Sequence, residues 1–370
     1  METSHAAQML AKGLRKHAFS RSRLRHSFRR WPYSVPLSGQ DSEIKVSVKV
    51  SSTDGAGQLY LDLVKRCLVD SIYLDHPLAE MVLYRHKAST RAWKRPLIRT
   101  LQSFLARYRM RVVEPYSPPW DPAYATLEPA RKKRLRECGL GWPSRAHTFL
   151  SIDRLDNIQY CVETALADGV RGDLIETGVW RGGACILMRA ILKVWGDTTR
   201  TVWLADSFEG LPPPDPQTYP ADLGDRHHLW SEEFSISREE VEANFRRYGL
   251  LDEQVRFLEG WFRDTLPNAP IQNLAVLRLD GDMYESTMQA LASLYDRLSV
   301  GGFVIVDDYY LEACAKAIHD FRSQRGITDP MQDIDGRGAF WRRSAQTAPF
   351  SGEAQTGRES SPQETLPIST

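Results

Sequence analysis

The sequence predicts an α/β protein: a doubly wound, mostly parallel sheet of seven strands behind a helical N-terminal extension. Five short apolar runs carry the prediction, each bounded by Gly, Asp or Glu: DLIETG (173–178), TVWLAD (201–206), VRFLEG (255–260), LAVLRLD (274–280) and GGFVIVD (301–307). Apolar residues at helical spacing separate them, over 183–195, 237–248, 284–298 and 311–325. Strands that alternate with helices pair in parallel and are covered on both faces. PMQDI (330–334) and GAFWRR (338–343), either side of DGRG, read as a closing antiparallel hairpin.

Upstream, residues 1–50 are poor in aliphatics and rich in Ser and Arg, and 12–30 contain no acid, which describes a disordered basic arm. From Leu59, LYLDLVKRCLVDSIYL has the spacing of a packed helix. Residues 78–111 continue as a basic amphipathic helix, with Leu97, Leu101, Phe104 and Leu105 on one side. A solvated face capping the main domain is the simplest reading of that charge run; peripheral contact with a membrane or an acidic partner is the other. EPYSPPWDPAY (114–124) is a linker or wrap-around segment. The predicted organisation is therefore an arm (1–50), a helical extension with a basic insertion (51–145), a main domain (146–343) and a Ser-, Gln-, Pro- and Thr-rich disordered tail (344–370).

Hydrophobic content of 42% and charge of 26% describe an ordinary globular protein. Lys plus Arg (48) balances Asp plus Glu (47), so no bulk charge argues for nucleic acid. The five cysteines are scattered, odd in number and lack a C-x-x-C pair, which suits a reducing compartment and a cytoplasmic location. No apolar run approaches the roughly 18 residues of a membrane span. The N-terminus lacks the apolar stretch of a secretory signal; its Arg-rich, acid-free character would also fit an organellar transit peptide. Arg29 and Arg30 are followed by WPYSVPLSGQ, not by the apolar segment of a twin-arginine signal.

LIETGVWRGG is a strand, a turn and the start of a helix, in which Gly178 and Gly182 allow close backbone approach and the helix N-terminus offers free N–H groups. A dinucleotide fingerprint would place glycine where Trp180 stands, so a pyrophosphate is disfavoured. Glu176 closes the first strand and Asp206 the second. An acid at the second suits a ribose diol; one at the first suits a ligand ammonium or a bond that structures the loop. The combination points to an adenosine-containing ligand.

Asp280 ends the fourth strand and Asp307 and Asp308 end the fifth. Adjacent parallel strands bring these carboxylates to one edge, where they repel unless a cation or protons intervene. Oxygen ligands without Cys or His favour a hard ion, Mg²⁺ above others. Asp282, one glycine beyond Asp280, reads instead as the N-cap of the next helix. A cofactor on one half of the edge and a metal near its centre suit metal-dependent methyl transfer.

DLIETGVWRGGA, ADSFEGLP, YGLLDEQVRFLEGWFRDTLP, LAVLRLDGDMYEST and GGFVIVDDY, in that order, with WPSRAHT and RLDNIQ upstream, resemble the macrocin O-methyltransferase family of sugar O-methyltransferases. The resemblance covers about residues 59–343, apart from the basic segment near 84–120. It implies a Rossmann-like, S-adenosylmethionine-dependent O-methyltransferase with Mg²⁺ between cofactor and acceptor hydroxyl. By motif, Glu176, Gly178, Gly182, Asp206 and Ser207 fall in the cofactor site, Gly260 and Trp261 along the adenine, and Asp280, Asp307 and Asp308 among the metal ligands. Related catechol-type enzymes carry a basic residue three positions after the first metal ligand; here that position is Met283. GDRHHLW (224–230) supplies His227 and His228 in the long loop after the second strand, and His228 is the favoured base, with Asp280 and His227 as competitors.

The acceptor implied is a hydroxyl of a small molecule or glycan, and homo-oligomers are common on this fold. Two further readings stay open: an NAD-dependent sugar oxidoreductase or epimerase, and a non-catalytic scaffold working through its basic N-terminal half. Trp180 and the lack of an evident Tyr-x-x-x-Lys pair count against the first. The cost of burying unpaired acids counts against the second.

Overall fold

The computed structural model describes residues 55–72, 78–80, 113–115, 126–140, 145–230 and 234–345. The basic arm, the tail beyond 345 and the predicted helix from 81 onward lie outside the described residues. Helix α1 (Gly55–Leu68) begins earlier and ends earlier than its apolar spacing suggests. Asp70, at φ 54°, turns the chain into the left-handed region that stops helices, and Arg136 Nη1 donates to its carbonyl at 2.5 Å. The expected helix from residue 78 is corrected at its start: β1 (Leu78–Glu80) pairs antiparallel with β2 (Val113–Pro115). Pairing of two extended tripeptides there outweighs local helical spacing.

Helix α2 (Pro129–Glu137) starts with Pro at its first turn, where a missing N–H costs nothing. Helix α3 (Ile152–Ala167) is capped by Ser151, whose hydroxyl accepts from Arg154 N. Then come β3 (Asp173–Thr177), α4 (Gly183–Val194), β4 (Val202–Asp206), α5 (Arg238–Arg247), β5 (Val255–Glu259), the single turn α6 (Phe262–Thr265) and β6 (Leu274–Leu279). Helix α7 (Tyr284–Leu294), β7 (Leu298–Val306), α8 (Glu312–Gln324), β8 (Gln332–Ile334) and β9 (Gly338–Arg342) complete the domain. Residues 295–297, expected to continue α7, tighten into a 3₁₀ turn that feeds β7 three residues earlier than the sequence suggests.

The strands form one seven-stranded sheet in the order β5-β4-β3-β6-β7-β9-β8. All neighbours are parallel except β7–β9 and β8–β9, so the predicted doubly wound sheet with an antiparallel closing hairpin is the observed one. One core face holds Leu61, Leu155, Ile158, Ile186 and Phe245; the other holds Leu277, Leu291, Ile318 and Trp341. Each fully buried aliphatic contributes about 1.5–3 kcal/mol, so this double core outweighs any single polar contact in the domain.

The strand order reverses between β3 and β6, which is where ligands bind in open α/β sheets. Backbone bonds carry the register across the carboxyl edge: Gly178 N to Ala205 O, Asp280 N to Thr177 O and Asp307 N to Leu279 O, each 2.9 Å. Gly178 is required for a reason other than ligand approach. Its φ is 90°, and a Cβ there would lie 1.6 Å from the carbonyl oxygen of Asp280.

Candidate active site

Arg278 is the centre of the carboxyl edge. It occupies the fifth position of β6, all six of whose residues are buried, and its side chain is 1% exposed. A buried guanidinium must be matched by acids. Here Nη1 donates to Glu176 and, at 2.7 Å, to Asp280 Oδ2, while Nη2 donates to Asp307 Oδ1 at 2.5 Å. Arg154 of α3 reaches the other oxygen of Asp307, Oδ2, also at 2.5 Å. Neither arginine figured in the sequence reading. The signal was a cation inside an otherwise apolar parallel strand.

The three carboxylates expected to hold a metal are brought together. Ligand oxygens of Asp280, Asp307 and Asp308 lie within 4.8 Å of one another. Asp307 and Asp308 are buried, and Asp280 is partly open, with 29% of its side chain exposed. Asp308 has its carboxyl pushed well above the usual range by burial and then by the charges of Asp282, Asp280 and Asp307. Burial and Asp307 likewise push Asp280 up, although Arg278 opposes the shift. Glu176, Asp280, Asp307, Asp308 and Asp335 set five acids against two cations, Arg154 and Arg278, an excess of three acids. An oxygen-only set with surplus acids, which a cation can hold ionised in place of their protons, fits a hard divalent ion.

Glu176 is not free for a ligand ammonium. One oxygen is held by Arg278 and the other by the Cys185 thiol at 3.0 Å, so it braces the glycine loop from beneath. Asp206 ties the same loop from β4: Oδ2 accepts from Val179 N at 2.7 Å and Oδ1 from Phe208 N at 2.8 Å. Ser207 closes the following turn, donating to Gly210 O at 2.8 Å. Trp180, at φ 47°, stacks on Phe149 with ring centroids 3.9 Å apart. Gly182 sits where a Cβ would come within 2.9 Å of Val241 of α5. Gly260 (φ 134°) and Trp261 close β5 at the far side of β4, with Gly260 N bonded to Asp206 O at 2.9 Å.

Asp282 does not cap α7, as the sequence suggests. The N-cap is Met283, whose side chain is buried in the fold, 1% exposed. The free N–H groups of Tyr284 and Glu285 donate instead to Asp222, at 2.7 and 3.0 Å, from the loop after β4. A carboxylate from another element thus replaces the local cap and seats that loop on the acidic edge. Asp282 is left at φ 60°, a conformation that costs a non-glycine residue and clusters at functional sites. Its N–H donates to Asp308 Oδ2 at 3.1 Å.

The histidine loop places His227 against these acids. His227 Nδ1 meets Asp225 Oδ2 at 2.6 Å. Burial alone would depress this imidazole, but the Asp225 hydrogen bond and the charges of Asp282 and Asp225 lift it to about 9. Glu176 is raised by burial to about 7, only partly offset by Arg278.

Both groups bind protons more tightly folded than unfolded, so each stabilises the fold at low pH and loses that effect as pH rises through its folded value. Stability in chelator is therefore expected to fall between pH 6.5 and 9, the window of His227, where Asp280, raised to about 8, adds to the fall, after an earlier fall from Glu176. His147, lowered to about 4 by burial and then by Arg181 and Arg247, acts with opposite sign only below pH 6.5. Urea midpoints at pH 6.5 and 9 check this. A flat profile, or one unchanged in His227→Asn, contradicts it.

Comparison with known proteins places the whole described fold. The family model for macrocin-O-methyltransferase (TylF) matches residues 57–343. A tetracenomycin 4'-O-methyltransferase of Streptomyces olivaceus, named for an 8-(2,3-dimethoxy-α-L-rhamnosyl) substrate, is 49% identical over 296 residues, 80% of this chain and 97% of its own. Mycinamicin III 3''-O-methyltransferase of Micromonospora griseorubida is 52% identical over 220 residues, 59% of this chain and 87% of its own. The solved structure of the O-methyltransferase NovP superposes with a TM-score of 0.62 at 42% identity, over 78% of this chain and 99% of that one. The family model over residues 57–343, the shared fold and near-complete coverage of a relative at this identity leave one assignment: the chain belongs to the macrocin-O-methyltransferase family and is an S-adenosylmethionine-dependent O-methyltransferase.

Proposed function

We propose that this enzyme methylates a sugar hydroxyl on a glycosylated small molecule, with Mg²⁺ held by Asp280, Asp307 and Asp308. The observation that carries the metal half is the clustering of these carboxylate oxygens within 4.8 Å beside the strand-order switch point. The sugar half rests on the rhamnosyl substrate in the name of the Streptomyces olivaceus relative. S-Adenosylmethionine lies over the β3 and β4 ends in this reading, with Gly178, Gly182, Asp206 and Ser207 shaping the loop and Gly260 and Trp261 the adenine wall. When bound, the ion supplies a positive centre that orients the acceptor hydroxyl and lowers its pKa.

Methyl transfer forms a carbon–oxygen bond, breaks the carbon–sulfur bond and releases the hydroxyl proton. His227 already carries a proton at neutral pH, and its role is to hold charge beside Asp282. The base that takes the proton is then His228, in the same loop, or Asp280, whose carboxyl is itself raised to about 8 by burial and must first lose its own proton. Asp280 keeps Oδ2 on Arg278 while part of its side chain stays exposed. Arg278 and Arg154 fix the acids so that little reorganisation accompanies the reaction.

The test is a screen of glycosylated acceptors with S-adenosylmethionine, reading S-adenosylhomocysteine release with Mg²⁺ and with EDTA. Turnover on at least one glycoside, abolished by EDTA and restored by Mg²⁺, is expected. Full activity in EDTA removes the metal from the reading, and turnover confined to non-glycosylated hydroxyls removes the sugar.

A further inference from the structure

The terminal hairpin reaches the acid centre through a chain of contacts that runs from its partly exposed tip to a buried ion pair. Antiparallel pairing of β9 with β7 matches Val306 to Ala339, so the hairpin's tip lies at the same sheet edge as Asp307. At that tip, Asp335 and Gly336 both have positive φ, 57° and 73°. Asp335 Oδ2 accepts from the Ser151 hydroxyl at 2.5 Å and from Arg154 Nε at 3.1 Å. Ser151 in turn caps α3 by accepting from Arg154 N at 3.1 Å. Arg154 then spends Nη1 on Asp307 Oδ2 at 2.5 Å and turns Nη2 to Phe149 O at 3.4 Å. Its side chain is 6% exposed, Asp307's 8% and Asp335's 10%.

We propose that Arg154 is a positioning residue for Asp307, aimed by Asp335, so that the closing hairpin is a working part of the acid centre. Stability alone does not account for the arrangement, because desolvating such ions costs about what their attraction returns. Orientation does. A carboxylate held at one oxygen can swing about the bond to its Cβ; one held at both has its plane fixed. Arg278 holds Oδ1 of Asp307 and Arg154 holds Oδ2, so the lone pairs that remain point in set directions. Partners that orient metal ligands are typically worth about 10–100-fold in metal affinity or activity. The inference rests on the reading that the triad binds a divalent cation.

The experiment uses the full chain, with Mn²⁺ as probe and electron paramagnetic resonance to count free ion. Arg154→Met is expected to weaken Mn²⁺ binding about 10–100-fold. Arg154→Lys should recover part of the loss, and Asp335→Asn, nearly isosteric, should fall between. Affinity for S-adenosylhomocysteine, measured by calorimetry, should stay at the wild-type value in all three, which a general loss of structure would not allow. Wild-type Mn²⁺ affinity in Arg154→Met overturns the inference while leaving the metal reading intact. If Arg154→Met does not fold, Asp335→Asn decides by the same criterion. Absence of Mn²⁺ binding by the wild type overturns both.

Discussion

Arg278→Met is expected to destabilise the protein by about 3–5 kcal/mol, the usual cost of removing one partner of a buried ion pair. Methionine matches the length of the arginine stem and leaves the strand intact, so lost volume is not the cause. What changes is that Glu176, 2% exposed, and Asp307, 6% exposed, lose the cation between them. Glu176 already sits near pH 7 with Arg278 present, and without it the acid would hold its proton to higher pH. Against a typical total stability of about 5–15 kcal/mol, the loss is large enough to leave part of the population unfolded. Urea unfolding of Arg278→Met checks the size. The double variant Arg278→Met with Glu176→Gln separates charge from packing, because deleting the stranded acid should restore part of the loss. A single-variant loss below about 1 kcal/mol, the range of exposed pairs, would mean that water reaches this cluster.

How the acid centre was legible, and how it was not, follows from what each residue depends on. Asp280, Asp307 and Asp308 were readable because each ends an apolar run, and parallel strands put all such ends on one edge. That inference needs only topology. Arg278 was hidden inside a run that reads as apolar, since hydropathy averages over the one residue that matters. Arg154 and Asp335 are 153 and 181 residues from their partners, and no local pattern links them. Asp282 was misassigned for a related reason. Aspartate before a helix is a good cap by statistics, but Asp222, 62 residues earlier, already satisfies that helix. Gly178 was singled out correctly while its reason differed: the neighbour it must clear is Asp280's own carbonyl. That the His227 ring meets Asp225 is a matter of loop geometry that the pair of letters does not carry.

Asp308→Asn is expected to abolish most activity while leaving the ion-free protein as stable as before, or more so. Asparagine keeps an oxygen for the N–H of Asp282, so that hydrogen bond survives. It removes a charge that the fold holds at a disadvantage, since burial and three neighbouring acids all push that carboxyl upward. A bound divalent ion contributes several kcal/mol to stabilising the transition state. Loss of about 4 kcal/mol of that is on the order of a thousandfold in rate. The decisive observation is the divergence of two measurements on one variant: turnover with Mg²⁺, and thermal midpoint at pH 8 in EDTA. An acid kept only for structure would lose stability on substitution and change turnover in proportion. One kept for function at a cost to the fold should do the reverse, and Mg²⁺ should no longer raise the variant's midpoint as it raises the wild type's. Activity within tenfold of wild type would exclude Asp308 from the metal site and leave Asp280 and Asp307 to hold an ion there.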